Sequence, residues 1–271
     1  MYSLEHLTVL SCTPPELVQV AADAGYDQVG LRTMPLGIPG EPECDIAANP
    51  ALLRETRKAL AATGLTVSDV EVVRIESALD PRSYERGFAA AAELGATDVT
   101  TSVWTSDAAY ARDAFDATCA VAKPYGLRLN IEFVAIAEVR TLAQAIDLLR
   151  SVEATNIGLL LDTYHVHRAR TDVAVLDGLP REWFHYCQLC DAPAAIPASD
   201  NAIREEVREH RLFLGEGHID VAGVLAHLPD VTYALEIPNL ARLEEFGPLE
   251  YARRCLSTAK AYFAHRQARP A

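Results

Sequence analysis

Three stretches of this sequence carry, near their C-terminal ends, a carboxylate that strand alternation turns away from its apolar neighbours. In LRLNIEF, Leu127, Leu129, Ile131 and Phe133 share one phase, and Arg128, Asn130 and Glu132 share the other. NIGLLLD sets Ile157, Leu159 and Leu161 against Gly158, Leu160 and Asp162. VTYALEI sets Val231, Tyr233, Leu235 and Ile237 against Thr232, Ala234 and Glu236. Successive side chains point to opposite faces of a strand, so the apolar phase packs under covering layers and the carboxylate phase faces elsewhere. Three carboxylates brought close together repel, and either take up protons or share a cation. A fourth stretch, HYCQLCD (185–191), places Gln188 at matching depth, with His185, Cys187 and Leu189 on the opposite face. Glu132, Asp162, Gln188 and Glu236 together are hard oxygen ligands, which suit Mn²⁺ or Mg²⁺, with Co²⁺ or Zn²⁺ as alternatives. The C-x-x-C pair, Cys187 and Cys190, also splits across the two faces. A thioredoxin-type pair opens a helix, which brings the sulfurs together, so redox chemistry is not expected here.

Those four stretches belong to a regular alternation of strand-like and helix-like runs. Strands are expected at 4–10, 26–32, 65–73, 97–104, 127–133, 156–162, 184–191 and 231–238. Helices are expected from Thr13–Pro14 onward, over 50–63, 81–94, up to about 123, 142–152, 172–178 and 221–227, with a polar helical stretch after 191 and a last helix over 248–265. Gly64, Gly95 and Gly126 close three of them. Strict alternation implies a parallel sheet. Eight such units match an α/β fold built as one (β/α)8 TIM barrel, for which about 250 residues is typical. The runner-up, an open doubly wound sheet, usually carries a glycine-rich turn after its first strand, and the turn here reads SCTPPE. No linker or low-complexity segment divides residues 1–271, so one domain is expected, with the Pro/Gly-rich stretch 33–45 as a long loop over the active face. In a barrel the inward carboxylates lie at the C-terminal strand ends, where barrel active sites sit.

Composition narrows the partners. A formal net charge of −14 repels phosphate backbones, so nucleic acid is not an expected partner. No run of about 18 apolar residues could span a membrane. The first residues lack the basic and apolar regions of a signal peptide. Six scattered cysteines fit reduced thiols and a cytoplasmic location. Arg32, Arg74, Arg168 and Arg211 collect near strand ends, and together they imply an anionic substrate group, a carboxylate or phosphate. No glycine-rich phosphate cradle follows the last two strands, which leans against a sugar phosphate. Glu138, six residues after Glu132, is a further candidate behind the metal ligands.

The motifs IEFV at Glu132, LLLDTYHVHR at Asp162, QLCDA at Gln188, R-x₃-GEG at Arg211–Gly217 and ALEIPN at Glu236 resemble those of the xylose isomerase-like barrel family. The resemblance covers nearly the whole chain and is densest from residue 127 onward. The family includes sugar isomerases and epimerases, inosose and dehydroshikimate dehydratases, and apurinic-site endonucleases. The endonucleases need extra metal-binding histidines that this sequence does not offer. The resemblance implies that Glu132 and Glu236 are both metal ligands and acid/base residues. It also implies that His165, in a D-x-x-H pattern with Asp162, contacts a substrate oxygen.

The implied chemistry is that of a metal-dependent isomerase or epimerase. It would enolise a keto-sugar or cyclic keto-polyol, or a keto acid, through an enediolate that the metal stabilises. Loss of a β-hydroxyl after the same first step would make it a dehydratase of the dehydroshikimate or inosose type. Where the epimerases usually carry a metal-binding histidine, this sequence has Gln188, which resembles the dehydratase branch instead. A barrel that binds ligand without catalysis is the remaining alternative. Relatives commonly pair, so a homo-oligomer is allowed.

Overall fold

The computed structural model describes residues 1–267. Eight parallel strands close into a barrel in chain order. They are β1 (Tyr2–Leu4), β2 (Gln28–Arg32), β3 (Thr66–Ile75), β4 (Asp98–Val103), β5 (Arg128–Glu132), β6 (Ile157–Asp162), β7 (Tyr186–Leu189) and β8 (Thr232–Leu235). The register of β8 on β1 pairs Leu235 with Leu4 and completes the ring. Around it run α1 (Pro14–Ala24), α2 (Pro50–Thr63), α3 (Glu85–Glu93), α4 (Ala108–Ala122), α5 (Leu142–Ser151), α6 (Thr163–Arg168), α7 (Asp200–Glu209), α8 (Val221–Leu225) and α9 (Leu240–Gln267). The expected TIM barrel is therefore the observed fold.

Local chemistry sets the helix ends. Thr13 and Glu16 form a capping box at the start of α1, and Pro14 and Pro15 fit its first turn. Gly64 and Gly126 take left-handed conformations that stop α2 and the turn after α4. The apolar phase of each strand faces the helices: Leu129, Ile131, Leu159, Leu161, Cys187, Leu189 and Leu235 are fully buried in the main core. That layer is the hydrophobic driving force for the fold.

Two expectations for the elements change. The first strand ends at Leu4, and His6–Val9 forms a 3-10 turn in place of a strand to residue 10. Polar side chains explain the turn. His6 Nε2 meets Cys12 O at 2.9 Å, and Thr8 Oγ1 donates to Leu235 O while accepting from Ile237 N. The helix expected at 172–178 is a 3-10 turn. The true helix, α6, starts immediately after Asp162, because that side chain accepts the Tyr164 N–H at 2.8 Å and caps it. The last helix starts at Pro248 as expected, and a further helical segment, 240–246, precedes it across the non-helical Gly247.

The barrel interior is mostly polar. Ser3 and Ser68 share a hydrogen bond of 2.8 Å, Ser68 donates to Asp69, and Thr100 links Asp69 to Tyr186. Glu5 fills the space above Gly30, where any Cβ would collide with the Glu5 carboxylate. Asn130 fills the equivalent space against Gly158. Burial first, and the neighbouring Glu71 second, push the Asp69 carboxyl up from 3.8 to about 7. The folded protein keeps that proton where the unfolded chain has released it, so this group costs stability as pH rises through that window. Asp69→Asn should remove this contribution. Between about pH 5 and about pH 8 the variant should gain on the wild type by on the order of 2–4 kcal/mol in urea unfolding. An unchanged difference across that range would show that Asp69 is ionised throughout.

Candidate active site

The C-terminal ends of β5, β6, β7 and β8 bring Glu132, Asp162, Gln188 and Glu236 together. All four are buried. The β6–β7 register sets Asp162 beside Gln188, and the β7–β8 register carries Glu236 next to that pair. Gln188 Nε2 donates to Glu236 Oε1 at 3.1 Å. Its Oε1 has no hydrogen-bond partner among the described residues. His185 lies before β7, half-buried, at the opposite end of the strand from Gln188.

Arg211 reaches into this group from the segment after α7. Its NH1 lies 2.7 Å from Asp162 Oδ2 and its NH2 lies 3.0 Å from Glu236 Oε2. The side chain is almost wholly buried, and its Nε and NH1 also donate to Val207 O and Glu236 O. Burial alone would lower its pKa, but Asp162 and then Cys190 and Glu236 raise it, so the guanidinium stays charged. One guanidinium offsets only one of the three carboxylates. Burial, then Glu236 and Asp162, raise the Glu132 carboxyl well above its usual range. Burial raises Glu236 as well, with Arg211 opposing and Glu71 adding to the effect. The remaining negative charge is relieved by protons or by a divalent cation.

A divalent ion fits the donors present. Gln188 Oε1 is a buried amide oxygen open to a ligand, and the carboxylates supply hard oxygens around it. Oxygen and nitrogen atoms of Glu132, Asp162 and His165 also all lie within 4.8 Å of one another. Hydrogen bonding assigns His165 a different part, however. Its Nδ1 accepts the Ala135 N–H at 3.2 Å, which puts the proton of the neutral ring on Nε2. Burial lowers the His165 pKa to about 4, so the ring is neutral near pH 7. Nε2–H lies 3.7 Å from Glu132 and 3.8 Å from Asp162. It is a donor facing the site, with no lone pair for a metal.

A cavity of about 130 Å³ opens above these groups. Arg32, Arg74 and Arg211 line it, as the sequence led one to expect. Arg32 is held by Glu71 at 3.0 Å and Glu41 at 2.9 Å. Arg74 pairs with Glu76 and lies 4.4 Å over the Trp104 ring. Leu36 and Ile38 bring the 33–45 loop over the cavity.

Two expected residues take no part in it. Glu138 is exposed on the loop before α5, outside the cavity. Arg168 is buried on α6 and spends its guanidinium on Glu206, at 2.7 Å, and on Pro193 O. The reason is its position inside α6, which turns it toward α7. Among the lining residues not singled out from sequence are Glu71, Trp104 and Arg208. Arg208 lies on α7 without a hydrogen-bonded or ion-paired partner among the described residues. Burial and its neighbours Arg204 and Arg74 lower its pKa.

Comparison with known proteins follows the same lines. The family model described as a xylose isomerase-like TIM barrel matches residues 18–255. A 3-dehydroshikimate dehydratase of Pseudomonas aeruginosa is 32% identical over 231 residues, covering 80% of this chain and 34% of the relative. An inosose isomerase of Bacillus licheniformis is 30% identical over 148 residues, covering 52% of this chain and 49% of the relative. The chain thus spans between a third and a half of the length of these relatives. Among solved structures, the IOLI protein with a bound zinc atom superposes with a TM-score of 0.78 at 18% identity, over 98% of this chain and 99% of that one. No helix among the described residues is long and apolar enough to cross a membrane.

The Arg168–Glu206 pair fastens α7, and with it Arg208 and Arg211, to the barrel. Arg168→Ala should lower the unfolding free energy by about 3 kcal/mol, because it strands a largely buried carboxylate. A loss within about 0.5 kcal/mol in denaturant unfolding would show that the pair does not carry this load.

Proposed function

This chain belongs to the xylose isomerase-like TIM barrel family, and from that premise we propose that it is a divalent-metal-dependent enzyme of the isomerase or epimerase type. Its substrate is a keto-sugar or cyclic keto-polyol that it enolises. The observation that carries this reading is the buried group of Glu132, Asp162 and Glu236 around an amide oxygen without a partner. Glu132, Asp162, Gln188 and Glu236 would hold the ion, with Mn²⁺ or Mg²⁺ suited to an oxygen shell. A divalent ion bound there polarises a substrate carbonyl and acidifies the adjacent C–H.

The chain's own residues supply the proton transfers. Burial raises the carboxyl pKa values of Glu132 and Glu236, and these two are the acid and base candidates. One removes the α-proton; in an epimerisation the other returns a proton to the opposite face of the same carbon, and in an isomerisation a proton returns to the neighbouring carbon while the adjacent hydroxyl proton passes to the former carbonyl oxygen. The His165 Nε2–H donates to a substrate oxygen and stays neutral while it does so. Arg211 holds Asp162 and Glu236 in place. The apolar wall of Leu36, Trp104, Val134 and Ile136 keeps water from the reacting carbon.

Dehydration is the second reading. Gln188 in the ligand position and the 32% identity to a 3-dehydroshikimate dehydratase favour it. Purified protein loaded with Mn²⁺ should be incubated in D₂O with an inosose, 3-dehydroshikimate and a ketohexose. An isomerase or epimerase incorporates deuterium at the α-carbon without losing water. A dehydratase loses water and develops new ultraviolet absorbance. Glu132→Gln and Glu236→Gln should each lower kcat by about 10²–10⁴-fold. If Mn²⁺, Mg²⁺, Co²⁺ and Zn²⁺ all fail to support either reaction, and Glu132→Gln leaves ligand affinity unchanged, the chain is a binding barrel.

The ligand assignment has its own test. Asp162→Asn should weaken Mn²⁺ binding in calorimetry by about 10²-fold, while His165→Asn should change it by less than about threefold. Equal losses in the two variants would place His165 on the metal.

A further inference from the structure

One buried carboxylate in the cavity belongs neither to the proposed ligands nor to the proton-transfer pair. Glu71, on β3, is 6% exposed and lines the cavity. Its Oε2 accepts from Arg32 Nε at 3.0 Å. Its Oε1 is buried with no hydrogen-bond partner among the described residues. Leaving a buried carboxylate oxygen without a donor is costly, and such an atom marks a place that a ligand or water completes.

The surroundings fix the carboxylate and restrict what completes it. Arg32 is held on its other side by Glu41, through NH1 at 2.9 Å. The second oxygen of Glu41 accepts the backbone N–H groups of Leu36 and Gly37 at 2.8 and 2.7 Å. Loop, Arg32 and Glu71 therefore form one connected unit, and Glu71 has little freedom to turn its open oxygen elsewhere. An anionic group is repelled by Glu71. An ammonium group is disfavoured because Arg32, Arg74 and Arg208 line the same cavity. A neutral O–H donor meets neither penalty.

We propose that Glu71 is a specificity-determining residue, whose Oε1 accepts a hydrogen bond from one hydroxyl of the substrate while Arg32 and Glu41 hold the carboxylate in position. The proposal rests on the reading of the substrate as a polyhydroxy ketone. It adds that one hydroxyl, beyond the oxygens that engage the metal and His165, is read by charge-assisted hydrogen bonding. A site built to bond a hydroxyl rejects the analogue lacking it, because the acceptor is then left buried and bare.

The experiment compares Mn²⁺-loaded wild type, Glu71→Gln and Glu71→Ala. The probes are an inosose, 3-dehydroshikimate and D-allulose, each beside its monodeoxy analogues, with turnover and calorimetric binding both measured. Wild type should disfavour one monodeoxy analogue of its preferred probe by about 10²-fold or more. In Glu71→Ala that discrimination should shrink at least about tenfold, through a higher KM for the parent probe and a kcat changed less than about threefold. Glu71→Gln, which keeps an acceptor oxygen, should fall between the two and carries the test if the alanine variant does not fold. Mn²⁺ affinity should stay within about twofold in both variants, which a general collapse of the site would not allow. Discrimination equal to wild type in folded, Mn²⁺-binding variants overturns the assignment of Glu71 alone. Failure of wild type to bind or convert any probe overturns the polyhydroxy-ketone reading, and the assignment with it.

Discussion

The central constraint in this molecule is the crowding of Glu132, Asp162 and Glu236 at one end of the barrel. All three are buried, and the charges of Glu236 and Asp162 raise the cost of ionising Glu132, as that of Asp162 does for Glu236. A single buried guanidinium, Arg211, cannot balance three carboxylates. Much of the surrounding structure serves this imbalance. α6 and α7 are joined by Arg168 and Glu206, and the segment after α7 delivers Arg211. Asp162 meets two demands at once: Oδ1 caps α6, and Oδ2 faces the guanidinium. Gln188 adds a neutral oxygen where another carboxylate would deepen the repulsion.

The barrel below the site extends the same theme. Its interior is a connected set of hydroxyls and acids, with Asp69 bonded by Ser68 and Thr100 and with Glu5 seated against Gly30. The hydrophobic layer lies outside the strands, against the helices. The stability of the fold is therefore drawn from the strand–helix interface, and the interior is left free to carry polar groups. That separation explains how an acid-rich axis survives within a tightly buried sheet.

Much of this was legible in the residues. Strands β5, β6 and β8 alternate strictly, so their inward carboxylates follow from parity alone. The depth of Gln188 on β7 follows from the same rule. β3 does not obey it. Its register shifts opposite Val29–Gly30 and again between Val70 and Val73. Glu71 and Arg74 are three apart yet line one cavity. A bulge adds a residue to one strand and reverses the phase beyond it, which no period-two reading anticipates. Arg168 and Glu138 failed for another reason. Proximity to a strand end in sequence does not fix direction, and the short helix α6 turned Arg168 away from the cavity. Arg208 was not singled out because α7 buries Ile203 and Val207, and a charged residue beside that stripe reads from sequence as an ordinary solvated group.

These carboxylates and Gln188 are proposed to hold a divalent cation. Anomalous diffraction from crystals grown with Mn²⁺ tests it most directly. One strong peak is expected within about 2.3 Å of oxygens from Glu132, Asp162, Gln188 and Glu236, with His165 Nε2 outside the shell. A peak bonded to His165 Nε2, or none among these residues at saturating Mn²⁺, would contradict it.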